Sequence, residues 1–413
     1  MSTYEDASLI YYPSGYKSGK AYSLKPTDGS GDLTFTRAST ATRVNESGLI
    51  EEVAANVPRL DNSQGGCSTL LLEPQRTNVI KQSQDYTTSD YILSNITSIN
   101  INFATSPSGV LNSQKVNFGT GSGYLRSKES LASALSCSMF AKYVDYPYLQ
   151  IMIGADSQHY ANFDIQNGTI GNVGTNSTAS IEDYGDGWYR IVINALSGTF
   201  GSAPRIYKIE NLLASWALGG GAAGSCLLWG FQYELGSYAT SYIPTTTTAV
   251  TRVKDDVSLT SAAVSTIAPT SGFTLFMDFY LSQDQETSRF SLFDNAYQNY
   301  VYLGSQDRPT NQSIRCEIRG SSVRFINYEP AFMDTGRHKM AVKFLTSGIK
   351  VYLDGVEVAS SGANAGLSAS FQKIIFGRDY PPNSGASARS ITESFMIFPS
   401  ALSDAQLETL TTI

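Results

Sequence analysis

The chain has 413 residues, more than one hydrophobic core ordinarily serves, so two or three domains are expected. Its formal net charge is −7 and its pI about 5.0, and no run of Lys and Arg offsets that balance locally, which excludes the positive surface that nucleic-acid binding requires. Charged residues make up only 16%, whereas Tyr (25) and Gly (35) are plentiful, a composition that suits half-buried pleated surfaces joined by tight turns and reads as all-β.

In chain order, the opening stretch MSTYEDASLIYY lacks the basic start and apolar centre of a signal peptide. No apolar run approaches the roughly 20 residues of a membrane helix. The expectation is a chain made in a cytoplasm and not inserted in a membrane. Residues 1–76 read as irregular, because Leu9-Ile10-Tyr11-Tyr12, Leu33-Thr34-Phe35 and Leu70-Leu71-Leu72 are short apolar pieces separated by Gly, Ser and Asn. With Arg37, Arg43, Arg59 and Arg76 spaced through it, the stretch is expected to be an attachment segment that orders against a partner.

From 77 to 250 the pattern changes to short alternating runs, such as Ser138–Val144, Gln150–Gly154, Gly187–Ile193 and Cys226–Tyr233. Turn signals lie between them at Gln166-Asn167-Gly168, Gly185-Asp186-Gly187 and Gly219-Gly220-Gly221. Many short strands with such turns predict a jelly-roll-like sandwich. Ile243-Pro244 and the Thr run after it read as a linker. Residues 251–413 carry a second set of strands. Gly272–Leu281 is long and apolar, and Asp354-Gly355 between alternating runs is a strong hairpin signal. Ser403 and Gln406 have capping-box spacing, which predicts a short final helix.

Two stretches resemble known families. Phe273-Thr274-Leu275-Phe276, His338–Val342, Val351–Gly355 and the ending Phe398–Asp404 resemble the concanavalin A-like, laminin-G-type sandwich over about 140 residues. Phe35–Arg43, Leu70–Asn78, Gly187–Arg190 and Gly236–Thr245 resemble modules of bacteriophage tail and head fibre proteins. These resemblances imply two consecutive β-sandwiches behind the attachment segment. They further imply a virion-surface fibre or decoration protein that is synthesised in the host bacterium, binds other virion proteins through its N-terminal segment and assembles as a homo-oligomer, a trimer for choice. The laminin-G likeness also allows structural calcium. Asp294, Asn295 and Asp307 sit in candidate loops, although their spacing matches no ligand pattern.

Little points to catalysis. There is no CxxC pair among Cys67, Cys137, Cys226 and Cys316, so no zinc site is expected, and buried free thiols are the natural reading. The two histidines, His159 and His338, accompany no GxSxG elbow. Glu182, Asp183 and Asp186 beside Trp188 are the one acid group resembling a sugar subsite, but Asp183 and Asp186 also suit turns around Gly185 and Gly187, with Trp188 opening a core strand. Tyr297, Asn299 and Tyr300 offer rings and amides suited to sugars, though Tyr300 and Tyr302 share a strand face that suits a core equally. The expectation is therefore a non-enzymatic protein contacting host glycan or surface protein through Tyr297, Asn299, Tyr300 and Trp188. The rival reading is a capsule-degrading, tail-spike-type glycosidase.

Overall fold

The computed structural model describes residues 3–131, 135–154, 157–195, 203–216, 220–260, 264–268, 272–281, 289–294, 300–308, 311–319, 323–328, 335–345, 347–362, 371–376 and 390–413. The described chain is almost entirely antiparallel strands. It divides into two compact units, one made of residues 1–43, 53–75 and 253–413, the other of residues 44–52 and 76–252.

The first unit is built on one hydrogen-bonded sheet of 16 strands. The apolar strand Phe273–Leu281 lies fourth from one end of it, pairing with Gly336–Leu345 on one side and Ser390–Phe398 on the other. Period-two alternation sends Leu275, Met277 and Phe279 to one face, where they meet Phe290, Leu292, Val301 and Phe376 from the distant part of the same sheet. A sheet that buries residues of both its halves in one core is folded over on itself as a sandwich. The opposite face is covered by the helix Asp404–Thr411, whose Leu407 and Leu410 pack on Phe276, Met396 and Phe398. Ser403 caps that helix with the expected reciprocal box to Gln406. The expected Asp354-Gly355 hairpin is also present, with φ of 49° and 85° at the two turn residues joining Gly348–Leu353 to Val356–Gly362.

Residues 1–76 depart from expectation. They are not irregular: Leu9–Lys17 pairs with Ser390–Phe398 through Leu9↔Ile397 and Tyr11↔Phe395, and Leu33–Thr36 pairs with Asp256–Thr260. Leu9, Tyr11, Leu33, Phe35, Leu70 and Leu72 are all buried in the first unit's core. The short apolar pieces look coreless in sequence because their packing partners lie in the last 160 or so residues of the chain. Arg37 and Arg59 are not docking contacts either. Both are buried, Arg37 donating to Asp255 (3.0 Å) and Arg59 to Glu73 (2.5 Å) and to Asp255, in a network with no exposed side chain. Burial alone would lower the Arg59 guanidinium, but Asp255 and Glu73 outweigh it and hold it firmly protonated.

The second unit is a two-sheet sandwich of six strands each. One sheet contains Leu135–Tyr143, Trp188–Ala195 and Gly224–Leu235 at its centre, the other Gly123–Ser127, Arg205–Lys208 and Tyr148–Met152. Val116, Cys137, Met139 and Ile193 of the first sheet meet Leu125, Leu149, Ile151, Phe163 and Ile206 of the second. The stretch expected to be a linker is part of this unit: Thr245 is buried, and Val250–Arg252 pairs with Arg76–Asn78. Three cysteines are buried free thiols as expected, but Cys67 is exposed.

Candidate functional site

The second unit carries a polar cleft of about 290 Å³ lined by Gln82, Gln84, Asp85, Ile101, Asn102, Asn112, Gln114, Thr245 and Thr246. Three backbone pieces meet there. The first is the turn Gln82–Asp85, closed by a bond from Asp85 N to Gln82 O (3.0 Å) and tied to Thr246 O by the Gln82 N–H (2.5 Å). The second is the end of the Gly236–Thr245 stretch, where the Thr245 hydroxyl donates to Ile80 O (2.5 Å) and the Ser83 hydroxyl meets the Tyr242 hydroxyl at 2.7 Å.

The third piece is a hairpin with an irregular edge. Ile96–Thr105 pairs with Leu111–Phe118, but the register jumps from Asn100↔Lys115 to Ala104↔Ser113. Three residues, 101–103, therefore stand opposite Gln114 alone, and such a bulge re-aims side chains. Asn102 sits within it at φ 50°. Gln82 also has a left-handed backbone, at φ 55°. Two non-glycine residues in that region, both lining one cleft, mark a place where the fold holds a conformation costing on the order of 1 kcal/mol each.

The lining has two layers of polar groups. The lower one is internally satisfied. Gln114 accepts from Tyr86 N (3.1 Å) and donates to Gln84 O (2.7 Å), while Gln84 donates to the Tyr242 hydroxyl (3.1 Å). Asp85 accepts from the backbone (3.0 Å) and hydroxyl (2.6 Å) of Thr87. Burial tends to raise the Asp85 carboxyl, but these bonds and one from Gln114 prevail and hold it below its ordinary value. The upper layer is uncommitted. The Gln82, Asn102 and Thr246 side chains make no hydrogen bond to described residues, and the Asn112 Oδ1 is buried without a partner. Amides and hydroxyls present donors and acceptors side by side, the pattern complementary to a sugar's hydroxyls, and the exposed Ile101 (55%) supplies an apolar lip for its C–H face.

The residues singled out from sequence lie elsewhere. Trp188 is 2% exposed, its indole N–H donating to Thr105 O (3.1 Å) beside Phe140 and Trp229. Tyr300, also 2% exposed, packs with Phe293, Tyr302 and Ile375. Rings closed off in this way offer a sugar no face, so both are core residues, as the competing reading of each allowed. Tyr297, Asn299 and Asn295 lie outside the described residues. Asp183 accepts from Gly185 N (2.8 Å) as a turn former, and Asp186 pairs with Lys142 (3.0 Å). His159 is buried, and His338 Nδ1 lies 2.7 Å from the Asp354 carboxylate, which also accepts from Lys339 N (2.9 Å). Asp294 is buried, and Asp307 lies within the strand Tyr300–Arg308 instead of a loop. Among the described residues no group of three or more His, Cys, Asp or Glu is placed to hold a metal ion. No helix among them is long and apolar enough to cross a membrane.

No protein-family model and no curated protein matches the chain. Solved structures similar to it include the Ruminococcus gnavus IT-sialidase CBM40, at 15% identity over 35% of this chain and 85% of that one, with a TM-score of 0.30. The NanB sialidase from Streptococcus pneumoniae matches at 16% identity over 38% of this chain and 26% of that one (TM-score 0.32). The heptameric SAP-like pentraxin from Limulus polyphemus matches at 14% identity over 34% and 69% (TM-score 0.29). Likenesses of this size say nothing about the cleft or its ligand.

Proposed function

We propose that this chain is a non-catalytic, glycan-contacting β-sandwich protein, and that the cleft between Gln82 and Thr246 is where it meets a hydroxyl-rich saccharide. The observation that carries the reading is the uncommitted upper layer, the Gln82, Asn102 and Thr246 side chains that line the cleft without a hydrogen bond to described residues. Each hydrogen bond that a sugar hydroxyl makes with these side chains is worth about 1 kcal/mol net. The single acid in the lining, Asp85, is engaged by Thr87 and Gln114, which supports binding over hydrolysis, since glycosidases work with two facing carboxyl groups.

The setting of that activity rests on the fibre-module resemblance of Phe35–Arg43, Leu70–Asn78, Gly187–Arg190 and Gly236–Thr245. It gives a surface fibre or decoration protein of a phage particle, assembled as a homo-oligomer. Attachment to other virion proteins is then a task for exposed parts of the first unit, since most of the strands of residues 1–76, Leu9–Lys17 and Leu33–Thr36 among them, are taken up in its sheet.

The test is an array of neutral oligosaccharides probed with the purified chain, followed by titration of the best hit. Loss of one hydrogen bond in Thr246→Val should weaken that hit roughly fivefold without a change in fold. Binding that ignores Thr246→Val, or the release of new reducing ends during incubation, would overturn the reading.

A further inference from the structure

The strand Ile96–Thr105 buries none of its ten side chains, although Ile96, Ile99, Ile101 and Phe103 are large and apolar. It pairs with Leu111–Phe118 on one side and, among the described residues, with no strand on the other, so it forms the edge of its sheet. An edge of this kind presents backbone groups and side chains to whatever lies beside it. The end of the hairpin has the same character. Phe103 is 50% exposed, Val110 55% and Leu111 60%, and Leu49 lies exposed against Gly109. Ile101 lines the cleft, which leaves Phe103, Val110, Leu111 and Leu49 as an apolar group of their own.

Charge is missing from the same stretch. Between Asp90 and Lys115 no residue is charged, where the chain's average of 16% would place about four. Edge strands are commonly guarded against pairing by charged side chains or proline, and Ile96–Thr105 has neither. Lys115 ends the run, with its ammonium 5.2 Å from the Phe103 ring centroid. The lack of charge also selects the partner. A foreign protein is steered and discriminated by opposite charge, and this stretch offers it none. In a contact between two copies across a two-fold axis, each charge near the axis meets its own like, so a self-complementary patch has to be neutral. On a chain of net charge −7, an uncharged apolar patch is where a second copy approaches against least repulsion.

We infer that the hairpin of residues 96–118 pairs this chain with a second copy of itself, Phe103, Val110 and Leu111 of each packing on the other across a two-fold axis. The bulge at 101–103 interrupts the strand, so its edge does not template an open ladder of further copies. A contact that uses the same patch on both partners closes at two chains. The inference gives the proposed homo-oligomer its contact surface and rests on neither the cleft nor a saccharide.

The experiment is light scattering of the purified chain after size exclusion, from about 1 to 100 μM. The mass should rise with concentration from 44.7 kDa toward twice that value. Leu111→Asp and, separately, Phe103→Asp bring two like charges together at the axis. Each should weaken pairing about a hundredfold or more and leave one-chain masses across the range. Leu213→Asp makes the same change at a leucine 75% exposed outside the hairpin and should leave the native behaviour intact. Since no charge pair holds the contact, raising the salt to about 500 mM should not dissociate it. Melting temperatures and Trp fluorescence establish that each variant is folded. A native mass that stays at 44.7 kDa throughout, or that reaches three chains, would overturn the inference. So would native pairing in folded Leu111→Asp and Phe103→Asp, or dissociation by salt or by Leu213→Asp. The readout is a mass, so its outcome is separate from whether the cleft binds a sugar.

Discussion

Replacing Asp255 by Asn should destabilise the first unit severely. The Asp255 carboxylate accepts from Arg37 (3.0 Å), from Arg59 and from the Glu73 N–H (2.8 Å), and the Arg37, Arg59, Glu73 and Asp255 side chains are all 0% exposed. Two guanidinium groups there face two carboxylates. The isosteric Asn removes one negative charge and leaves a buried positive charge uncompensated, a change that costs about 3–5 kcal/mol. At roughly 2–4 °C per kcal/mol for a unit of this size, the melting point should fall by about 6–20 °C. The three Trp residues, Trp188, Trp216 and Trp229, all lie within residues 76–252 and report the second unit. Far-UV circular dichroism, to which both units contribute, should therefore show the shift, with Trp fluorescence as the internal comparison. As a control, Glu129→Gln breaks the Lys81–Glu129 pair, whose side chains are 38% and 30% exposed, and should cost no more than about 1 kcal/mol. An Asp255→Asn loss no larger than the control's would refute the buried network and, with it, the incorporation of residues 37–73 into the first unit's interior.

Three further outcomes are expected. The Asp404 carboxyl, hydrogen-bonded by Lys343 and Lys350, is held at about 2. A depressed carboxyl contributes stability that is present above its unfolded value near 4 and lost as pH falls through 2. Asp404→Asn should therefore be less stable than the native chain at pH 7 and converge with it between about pH 4 and 2; parallel urea midpoints across that range would contradict this. A thiol reagent should modify Cys67 quickly and Cys137, Cys226 and Cys316 only on unfolding, because the latter three are buried and burial raises the Cys137 and Cys226 thiols; more than one fast thiol per chain would count against the packing. Gln82→Gly relieves a left-handed backbone and should raise stability by up to about 1 kcal/mol in denaturant titration while weakening saccharide binding at the cleft. Stability unchanged and binding unchanged together would remove Gln82 from the site.

Local signals were legible in the sequence. Asp354-Gly355 needs only two residues that tolerate positive φ, and Ser403 with Gln406 satisfies a helix start from within four residues. Strand-rich composition and turn spacing likewise anticipated the sandwiches. What escaped is non-local. Leu9, Tyr11, Leu33 and Phe35 read as fragments because Phe395, Ile397 and Val257, which bury them, come more than 200 residues later. Arg37 and Arg59 read as surface cations because nothing adjacent in sequence announces Asp255 as their counter-charge. The stretch Ile243–Thr248 read as a linker for the same reason, whereas the chain after it closes back through Val250–Arg252 on Arg76–Asn78.

The cleft left a fainter trace. Gln82-Ser83-Gln84-Asp85, Asn100-Ile101-Asn102 and Asn112-Ser113-Gln114 are amide-rich runs that a search for acids, histidines and aromatic residues passes over. Only the bulge at 101–103 and the return of Thr245 and Thr246 bring them together, and neither is encoded as a motif. Trp188 drew attention as a ring beside acids, yet it is buried with Phe140 and Trp229 in a second cluster, on the face of its strand opposite Ile191 and Ile193.

The most direct measurement is a crystal structure of the chain bound to the neutral oligosaccharide selected on the array. An intact sugar should lie against Gln82, Asn102 and Thr246, with its hydroxyls within hydrogen-bond distance of those side chains. A sugar seated elsewhere with the cleft left empty, or a cleaved product held between two carboxylates, would contradict it.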